Sequence, residues 1–182
     1  MSPEPEPDQG SGFACDVYGI REIPAMTDST PPTAPTARGH FSARINGTPF
    51  ITTDLSGMSC LRPELTGARR QRIWKIHAVG KVGPHRTALG LFIDQALAPG
   101  VYDLVRDERL TAVYHLTPKR VAQVFHSRDF AQGRVRLLRC NADTGRLRGS
   151  FEFGIPAMNF KVSRGEFDLL CPREEDILAL IK

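Results

Sequence analysis

The sequence predicts a mainly β fold, an antiparallel β-sandwich or open barrel followed by a short C-terminal helix. Three observations predict it. Residues 133–153 alternate arginines with apolar side chains on both sides of a turn at residues 141–145. Asn46-Gly47 separates two shorter alternating runs, and Asn-Gly is the strongest short hairpin signal. Further short apolar runs, divided by Gly and Pro with little helical periodicity, follow at the spacing typical of sandwiches and barrels.

The first 37 residues differ in composition from the rest of the chain. They are rich in Pro, Ser and Thr, and they carry six acidic side chains against the single Arg21, a net charge of −5. The total of +4 leaves +9 for the remainder. Such a segment buries too little apolar surface to offset its ordering entropy. We therefore expect a flexible acidic arm over residues 1–38 and an antiparallel β domain over residues 39–171.

The domain opens with a predicted hairpin, residues 41–45 paired with residues 48–53. Pro49 cannot donate a ladder hydrogen bond, so its strand is expected to lie at an edge or to leave that position unpaired. Residues 56–70 contain three Gly or Pro breaks and are predicted to form a long loop.

Six further strands are predicted between that loop and the C-terminus. The run at 87–94 is almost entirely apolar, which indicates a strand covered on both faces. The segment at 160–170 is interrupted at residues 163–165. The predicted strands span residues 72–79, 87–94, 101–105, 111–116, 121–127 and 160–170, the fourth and fifth forming a pair.

The run at 133–153 is predicted to be a hairpin with one apolar and one basic face. Side chains alternate between the two faces of a strand. Leu138 breaks the alternation, which indicates a bulge or a second contact surface. One face carries Val135, Leu137, Leu147, Gly149, Phe151 and Phe153, and the other carries Arg134, Arg136, Arg146, Arg148, Ser150 and Glu152.

Only residues 172–182 are predicted to be helical. Pro172 suits a first helical turn, and the acids that follow it complement the positive end of a helix. A helix this short is marginal alone, so we expect it to pack on the β domain. Its acids are Glu174, Glu175 and Asp176, and its apolar stripe is Ile177, Leu178 and Ile181.

Four short motifs give the chain a resemblance to a known family. They are FSARING at 41–47, APGVYDL at 98–104, GSFEF at 149–153 and GEFD at 165–168. Over residues 40–170 the chain resembles a family of bacterial β-sandwich domains of unknown function, many of whose members look like surface lipoproteins. The resemblance implies a mainly antiparallel sandwich or open barrel, and no functional residues carry over from it.

No motif predicts a catalytic centre, a cofactor or a metal site, so we expect no enzyme. The chain lacks a G-x-S-x-G elbow, a phosphate-binding glycine loop and an H-E-x-x-H pair. Strand-end Asp94 and Asp103 are interpreted as turn contacts. No two histidines of the strands have metal-ligand spacing, and no cysteines form a C-x-x-C pair. These histidines are His77, His115 and His126, and the cysteines are Cys15, Cys60, Cys140 and Cys171.

The segment MSPEPEPDQG lacks the basic and apolar regions of a secretory signal. No apolar run approaches the ~20 residues of a membrane span. We expect a cytoplasmic protein with reduced cysteines.

Arginines are the remaining candidate functional residues. Two groups stand out, Arg134, Arg136, Arg146 and Arg148 on the predicted hairpin, and Arg69, Arg70 and Arg72 beside Trp74. A solvated basic face is the ordinary interpretation. The leading functional hypothesis is a noncatalytic interaction module that engages an acidic partner protein. The alternatives are a polyanion or nucleic-acid binder using the arginine hairpin, and a small-ligand carrier or enzyme using the domain interior.

Overall fold

The described part of the chain forms one antiparallel sheet. The computed structural model describes residues 37–62, 71–116, 123–156 and 159–172. Strands account for 74% of these residues, and the mainly β, antiparallel prediction is confirmed. A 3-10 turn at Ser127–Asp129 follows the seventh strand. The strands are β1 Arg38–Ile45, β2 Thr48–Leu61, β3 Arg72–Val82, β4 His85–Asp94, β5 Gly100–Asp103, β6 Leu110–Leu116, β7 Gln123–His126, β8 Gln132–Asn141, β9 Arg146–Ile155 and β10 Phe160–Leu170.

Strand β2 joins two halves of the sheet. The strand order is β5-β8-β9-β10-β1-β2-β3-β4-β6-β7. The first residues of β2, Thr48 to Phe50, pair with β1, and the residues from Ile51 onward pair with β3. We call β5, β8, β9, β10 and β1 the hairpin half, and β3, β4, β6 and β7 the tryptophan half. Because β2 belongs to both ladders, the halves are one continuous sheet, curled into a half-barrel.

The interior of the curl is a single hydrophobic cluster to which both halves contribute. The ring of Tyr114 on β6 packs against Phe160 of β10, with centroids 4.1 Å apart and the ring planes tilted by 36°. Trp74 on β3 is fully buried and donates its indole N–H to the sulfur of Cys140 on β8 at 3.2 Å. Side chains of the concave face therefore pack against one another across the two halves.

Two glycines of the hairpin half lie beneath phenylalanine rings on the neighbouring strand. Gly149 on β9 pairs with Phe167 on β10, and Gly165 on β10 pairs with Phe151 on β9. A Cβ atom at Gly149 would lie 2.6 Å from Phe167 Cζ, and one at Gly165 would lie 2.7 Å from Phe151 Cε1. Glycine is needed where a ring or a neighbouring backbone approaches this closely, and such positions let a sheet curve.

Both predicted hairpins are confirmed. Asn46 and Gly47 have φ values of 48° and 80°, the left-handed region that a two-residue hairpin turn requires. Strands β8 and β9 form the second hairpin, and the register shifts between Leu137 and Arg139, so Leu138 is the extra residue of a β-bulge. The interruption in β10 is a second register shift, at residues 163–164.

The predicted loop is wrong over residues 56–61, and of the two alternatives for Pro49 the edge strand is wrong, whereas the position is left unpaired on its β3 side. Pro49 does not mark an edge strand, because β2 lies between β1 and β3. Pro49 pairs with Arg44 of β1 and precedes Ile51, where the β3 ladder begins, so its missing N–H interrupts no bond to β3. Residues 56–61 are not loop but the second part of β2.

Gly57, one of the breaks that predicted this loop, and the nearby Ser59 are closely packed instead. A Cβ atom at Gly57 would lie 3.0 Å from the sulfur of Cys171. Buried Ser59 accepts a hydrogen bond from the Gln95 side-chain amide at 2.6 Å. Small residues are therefore required here by packing.

Three predicted segments lie wholly or mostly outside the described residues: the acidic arm, the C-terminal helix and the remainder of the predicted loop at 63–70. Within the described residues, no helix is long and apolar enough to cross a membrane.

Candidate functional site

The outer face of the β8–β9 hairpin carries the arginines that the alternation predicts there. Arg134 and Arg136 on β8 and Arg146 and Arg148 on β9 are all exposed. The residues between them are fully buried. They are Val135, Leu137 and Leu147, each at most 1% exposed. Burial of this apolar face is what fixes the arginines on the outside.

The bulge at Leu138 adds a fifth arginine, Arg139, that the sequence prediction missed. Without a bulge, alternation from Leu137 would point Arg139 inward. The extra residue shifts the inward–outward alternation of β8 by one position. Arg139 is therefore exposed and pairs directly with Arg148, and Cys140 pairs with Leu147. The break in alternation at Leu138 indicated a bulge, but it did not specify that Arg139 would lie on the outer face.

Acidic side chains compensate three of these arginines. Arg134 Nε lies 2.8 Å from Glu152 Oε1 on β9. Asp168 on β10 accepts from Arg146 Nε and Nη2 at 2.8 and 2.7 Å, and its other oxygen lies 3.9 Å from Arg148 Nε. These pairs are exposed, and such pairs typically contribute only about 0–1 kcal/mol.

Arg136 and Arg139 have no carboxylate within 4.0 Å among the described residues. They flank Leu138, which is 48% exposed. Arg136 also pairs with Val101 on the edge strand β5, and Val101 is 65% exposed. Uncompensated charge and exposed apolar surface therefore occur side by side at the bulge.

The same surface continues across β10 to β1. Leu170, which is 43% exposed, pairs with Arg146 on one side and with Arg38 on the other. We call this surface the basic face. It carries no exposed Phe, Tyr or Trp among the described residues. The basic face comprises Arg38, Arg134, Arg136, Arg139, Arg146 and Arg148, the acids Asp103, Glu152, Glu166 and Asp168, and the exposed Val101, Leu138 and Leu170.

The second predicted arginine group is not assembled in the described residues. Arg69 and Arg70 lie outside them. Arg72 begins β3 and is exposed, but β10, β1 and β2 separate β3 from β9 in the sheet. Trp74, the aromatic ring beside this group in the sequence, is fully buried.

The predicted histidines lie on three strands of the tryptophan half, and no metal-binding group of three His, Cys, Asp or Glu occurs in the described part of the chain. Partial burial, and then the charge of Lys75, lowers the pKa of His77. The two strand-end aspartates make the predicted turn contacts. Asp94 accepts from the Ala96 amide at 2.8 Å, and Asp103 accepts from the Val105 amide at 2.9 Å.

Apolar side chains fill the interior of the sheet, and the thiols within it are shielded. Burial raises the pKa of Cys140, and it raises the pKa of Cys171 to about 12. A shallow surface depression of about 530 Å³ lies beside β5, lined by residues 101–103 and 106–109. Its Asp107 is held by two hydrogen bonds from the Arg109 guanidinium, which lower the pKa of the Asp107 carboxyl.

No protein family model matches the chain, and comparison with curated proteins and with solved structures finds no significant similarity.

Proposed function

We propose that the domain is a noncatalytic binding module, acting in the cytoplasm, that holds an acidic segment of a partner protein on its basic face. One observation carries the proposal. Arg136 and Arg139 are exposed beside Leu138, and no carboxylate of the described residues lies within 4.0 Å of either guanidinium. Carboxylates of a partner supply the missing charge, and its apolar side chains cover the leucine.

The composition of the basic face supports a protein partner over a nucleic acid. Arginine is enriched in protein interfaces, whose centres also bury apolar side chains. Proteins that bind single-stranded nucleic acid stack bases on exposed aromatic rings. Among the described residues the basic face offers leucine and valine but no exposed Phe, Tyr or Trp, and its Glu152 and Asp168 would repel phosphate.

The exposed ion pairs on the face do not block a partner. Arg134 and Glu152 are 67% and 45% exposed, and Arg148 is 61% exposed. Because such pairs contribute little in water, an incoming carboxylate can replace one at small cost. The whole hairpin surface is therefore available for binding.

The test compares three immobilised probes at equal ionic strength: a peptide of alternating glutamate and leucine, polyglutamate, and oligothymidine. We expect the alternating peptide to bind most tightly. Arg136→Glu combined with Arg139→Glu should weaken binding of this peptide by about tenfold or more, because the new glutamates then face the glutamates of the peptide. The matched control is Arg86→Glu with Arg128→Glu, the same charge change at exposed sites in and beside the tryptophan half. The control should change affinity by less than about threefold, because salt screens distant charges.

Substitution of Leu138 separates the apolar contribution from the charge. Leu138→Ser should weaken binding of the alternating peptide and leave polyglutamate binding unchanged. If the Arg136/Arg139 variant and its control lose the same affinity for the alternating peptide, binding depends only on the overall charge of the domain and the proposal is overturned. Tighter binding of oligothymidine, lost in the same variant, would establish the nucleic-acid alternative instead.

A further inference from the structure

Three exposed apolar side chains cross the basic face from the edge strand β5 towards β1. Val101 on β5, Leu138 on β8 and Leu170 on β10 are 65%, 48% and 43% exposed. Val101 pairs with the outward-facing Arg136, and Leu170 pairs with the outward-facing Arg146. The pairing register therefore places them on one face of the sheet and fixes how far apart they lie.

The step from Val101 to Leu138 is short. Val101 is opposite Arg136 on β8, and Leu138 lies two residues further along β8, at the bulge. Neighbouring strands are about 4.8 Å apart, and each residue advances a strand by about 3.3 Å. The Cα atoms of Val101 and Leu138 are therefore about 7–8 Å apart, along a diagonal that runs towards the β8–β9 turn.

The step from Leu138 to Leu170 is longer. Arg139 is opposite Arg148 on β9, Arg148 is opposite Asp168 on β10, and Leu170 lies two residues beyond Asp168. Two strands across and between two and three residues along give about 13 Å, again towards the β8–β9 turn. Arg148 lies on the same diagonal, between the two leucines.

These distances match the repeat of an extended chain. Side chains on one face of an extended segment recur about every 6.7 Å. One repeat covers the step from Val101 to Leu138, and two repeats cover the step to Leu170, so the side chain between them falls at Arg148. The basic face is the outer side of a sheet that curls around its core. An extended segment follows such a curve, whereas a straight helix would touch only part of it.

The arginines around this diagonal lack close carboxylates. Arg136 and Arg139 lie on opposite sides of it, and no carboxylate of the described residues is within 4.0 Å of either guanidinium. Asp168 approaches Arg148 only to 3.9 Å. Carboxylates at the second and fourth positions of an extended segment would lie beside the two flanking arginines, and a carboxylate at the fifth position would meet Arg148.

We propose that the acidic partner presents an extended segment of seven residues, apolar at its first, third and seventh positions and acidic at its fifth; this rests on the proposed function of the basic face. The first residue contacts Val101, the third contacts Leu138, the fifth pairs with Arg148 and the seventh contacts Leu170. The segment runs in one direction only, because the reverse direction would set its fifth carboxylate against Leu138.

Two heptapeptides of identical composition test the spacing, through fluorescence anisotropy with the full chain. One has the order Leu-Glu-Leu-Glu-Glu-Glu-Leu. The other has the order Leu-Glu-Glu-Leu-Glu-Glu-Leu, whose middle leucine points away from the other two when the chain is extended. The first peptide should bind about fourfold more tightly, because only the first buries a leucine against Leu138.

Replacement of the leucine on the protein should remove this difference. With Leu138→Ser the two heptapeptides should bind equally. The matched control is Val124→Ser, which changes an apolar side chain of similar exposure, 49%, on β7 of the tryptophan half and should preserve the difference. Fluorescence of the buried Trp74 verifies that both variants are folded.

A double-mutant cycle tests the carboxylate at the fifth position. Glutamine at that position of the first heptapeptide should weaken binding to the wild type by about threefold, the size of an exposed ion pair. The same change should have no further effect on Arg148→Gln, because residues in contact are coupled. Glutamine at the sixth position is the matched control and should act equally on the wild type and on Arg148→Gln.

The outcomes separate the spacing from the proposed function. If the two heptapeptides bind equally and Arg136→Glu with Arg139→Glu weakens both, the spacing is overturned and the proposed function stands. The same holds if the fifth position shows no coupling to Arg148. Tighter binding of the second heptapeptide, whose leucines recur at a helical spacing, overturns the extended segment in favour of a helical partner. If neither heptapeptide nor the alternating glutamate–leucine peptide binds, the proposed function is overturned as well.

Discussion

Gly149 on β9 lies beneath the ring of Phe167, and its replacement by alanine tests how the hairpin half curls. The new Cβ atom would lie 2.6 Å from Phe167 Cζ and 2.5 Å from the backbone oxygen of Arg136 on β8. Both distances are roughly 1 Å shorter than an ordinary carbon contact of about 3.5–4.0 Å. The ring and the neighbouring strand would both have to move.

The expected cost follows from these two contacts. Overpacking a core costs about 1–3 kcal/mol, and the reduced entropy of the unfolded chain returns at most about 1 kcal/mol. Since one contact is with backbone that cannot rotate away, we expect Gly149→Ala to lower the free energy of unfolding by about 2 kcal/mol. For a chain of this size the melting temperature should then fall by roughly 4–8 °C.

Urea unfolding followed by fluorescence provides the assay, because the single tryptophan, Trp74, is fully buried. Gly154→Ala is the matched control on the same strand. The nearest atom to its Cβ would be the Phe160 backbone oxygen at 3.6 Å, so stability should stay within about 1 kcal/mol of the wild type. If the two alanine variants differ by less than about 0.5 kcal/mol, the packing argument for Gly149 is wrong.

Three further predictions concern titration, reactivity and register. His77 has a folded pKa below its ordinary value of 6.5, so the unfolded chain binds more protons as the pH falls through that value. The free energy of unfolding of the wild type should therefore fall as the pH drops below about 6.5. Urea titrations at several pH values should show a smaller fall for His77→Gln. Cys171, with a pKa of about 12, should resist alkylation until the protein is denatured, as peptide mass spectrometry would show. Deletion of Leu138 should retain native near-UV circular dichroism because Arg139 stays outside, whereas deletion of Val135 should abolish it by placing an arginine in the core.

Most strands could be predicted because the signals that define them, alternation and turn residues, lie within a few positions of one another in the sequence. The β8–β9 hairpin follows from two-residue alternation, and the first hairpin follows from the turn requirements of Asn46 and Gly47. The strand order could not be derived, because β5–β8 and β10–β1 pair residues far apart in the sequence. The second part of β2 was missed for a related reason, since Gly57 indicates a loop until Cys171 is known to pack against it.

Of the five arginines on the outer face of the β8–β9 hairpin, sequence analysis missed one, Arg139, and for one physical reason. Arg134, Arg136, Arg146 and Arg148 follow from alternation alone. Arg139 depends on which residue the bulge inserts, and an alternating pattern with one break does not specify which residue lies outside the ladder. Only the pairing of Arg139 with Arg148 shows that the charge continues past Leu138.

The acids of the sheet determine where positive charge remains for a partner. Glu152 compensates Arg134, and Asp168 makes two close contacts with Arg146 but approaches Arg148 only to 3.9 Å. The uncompensated charge is therefore concentrated at Arg136 and Arg139, beside the weakly paired Arg148, around the bulge rather than evenly over the hairpin. Exposed ion pairs contribute too little to explain this distribution through stability. The excess charge surrounds the exposed Leu138. Charge reversal at Arg136 or Arg139 is therefore expected to weaken binding of an acidic partner more than charge reversal at Arg146.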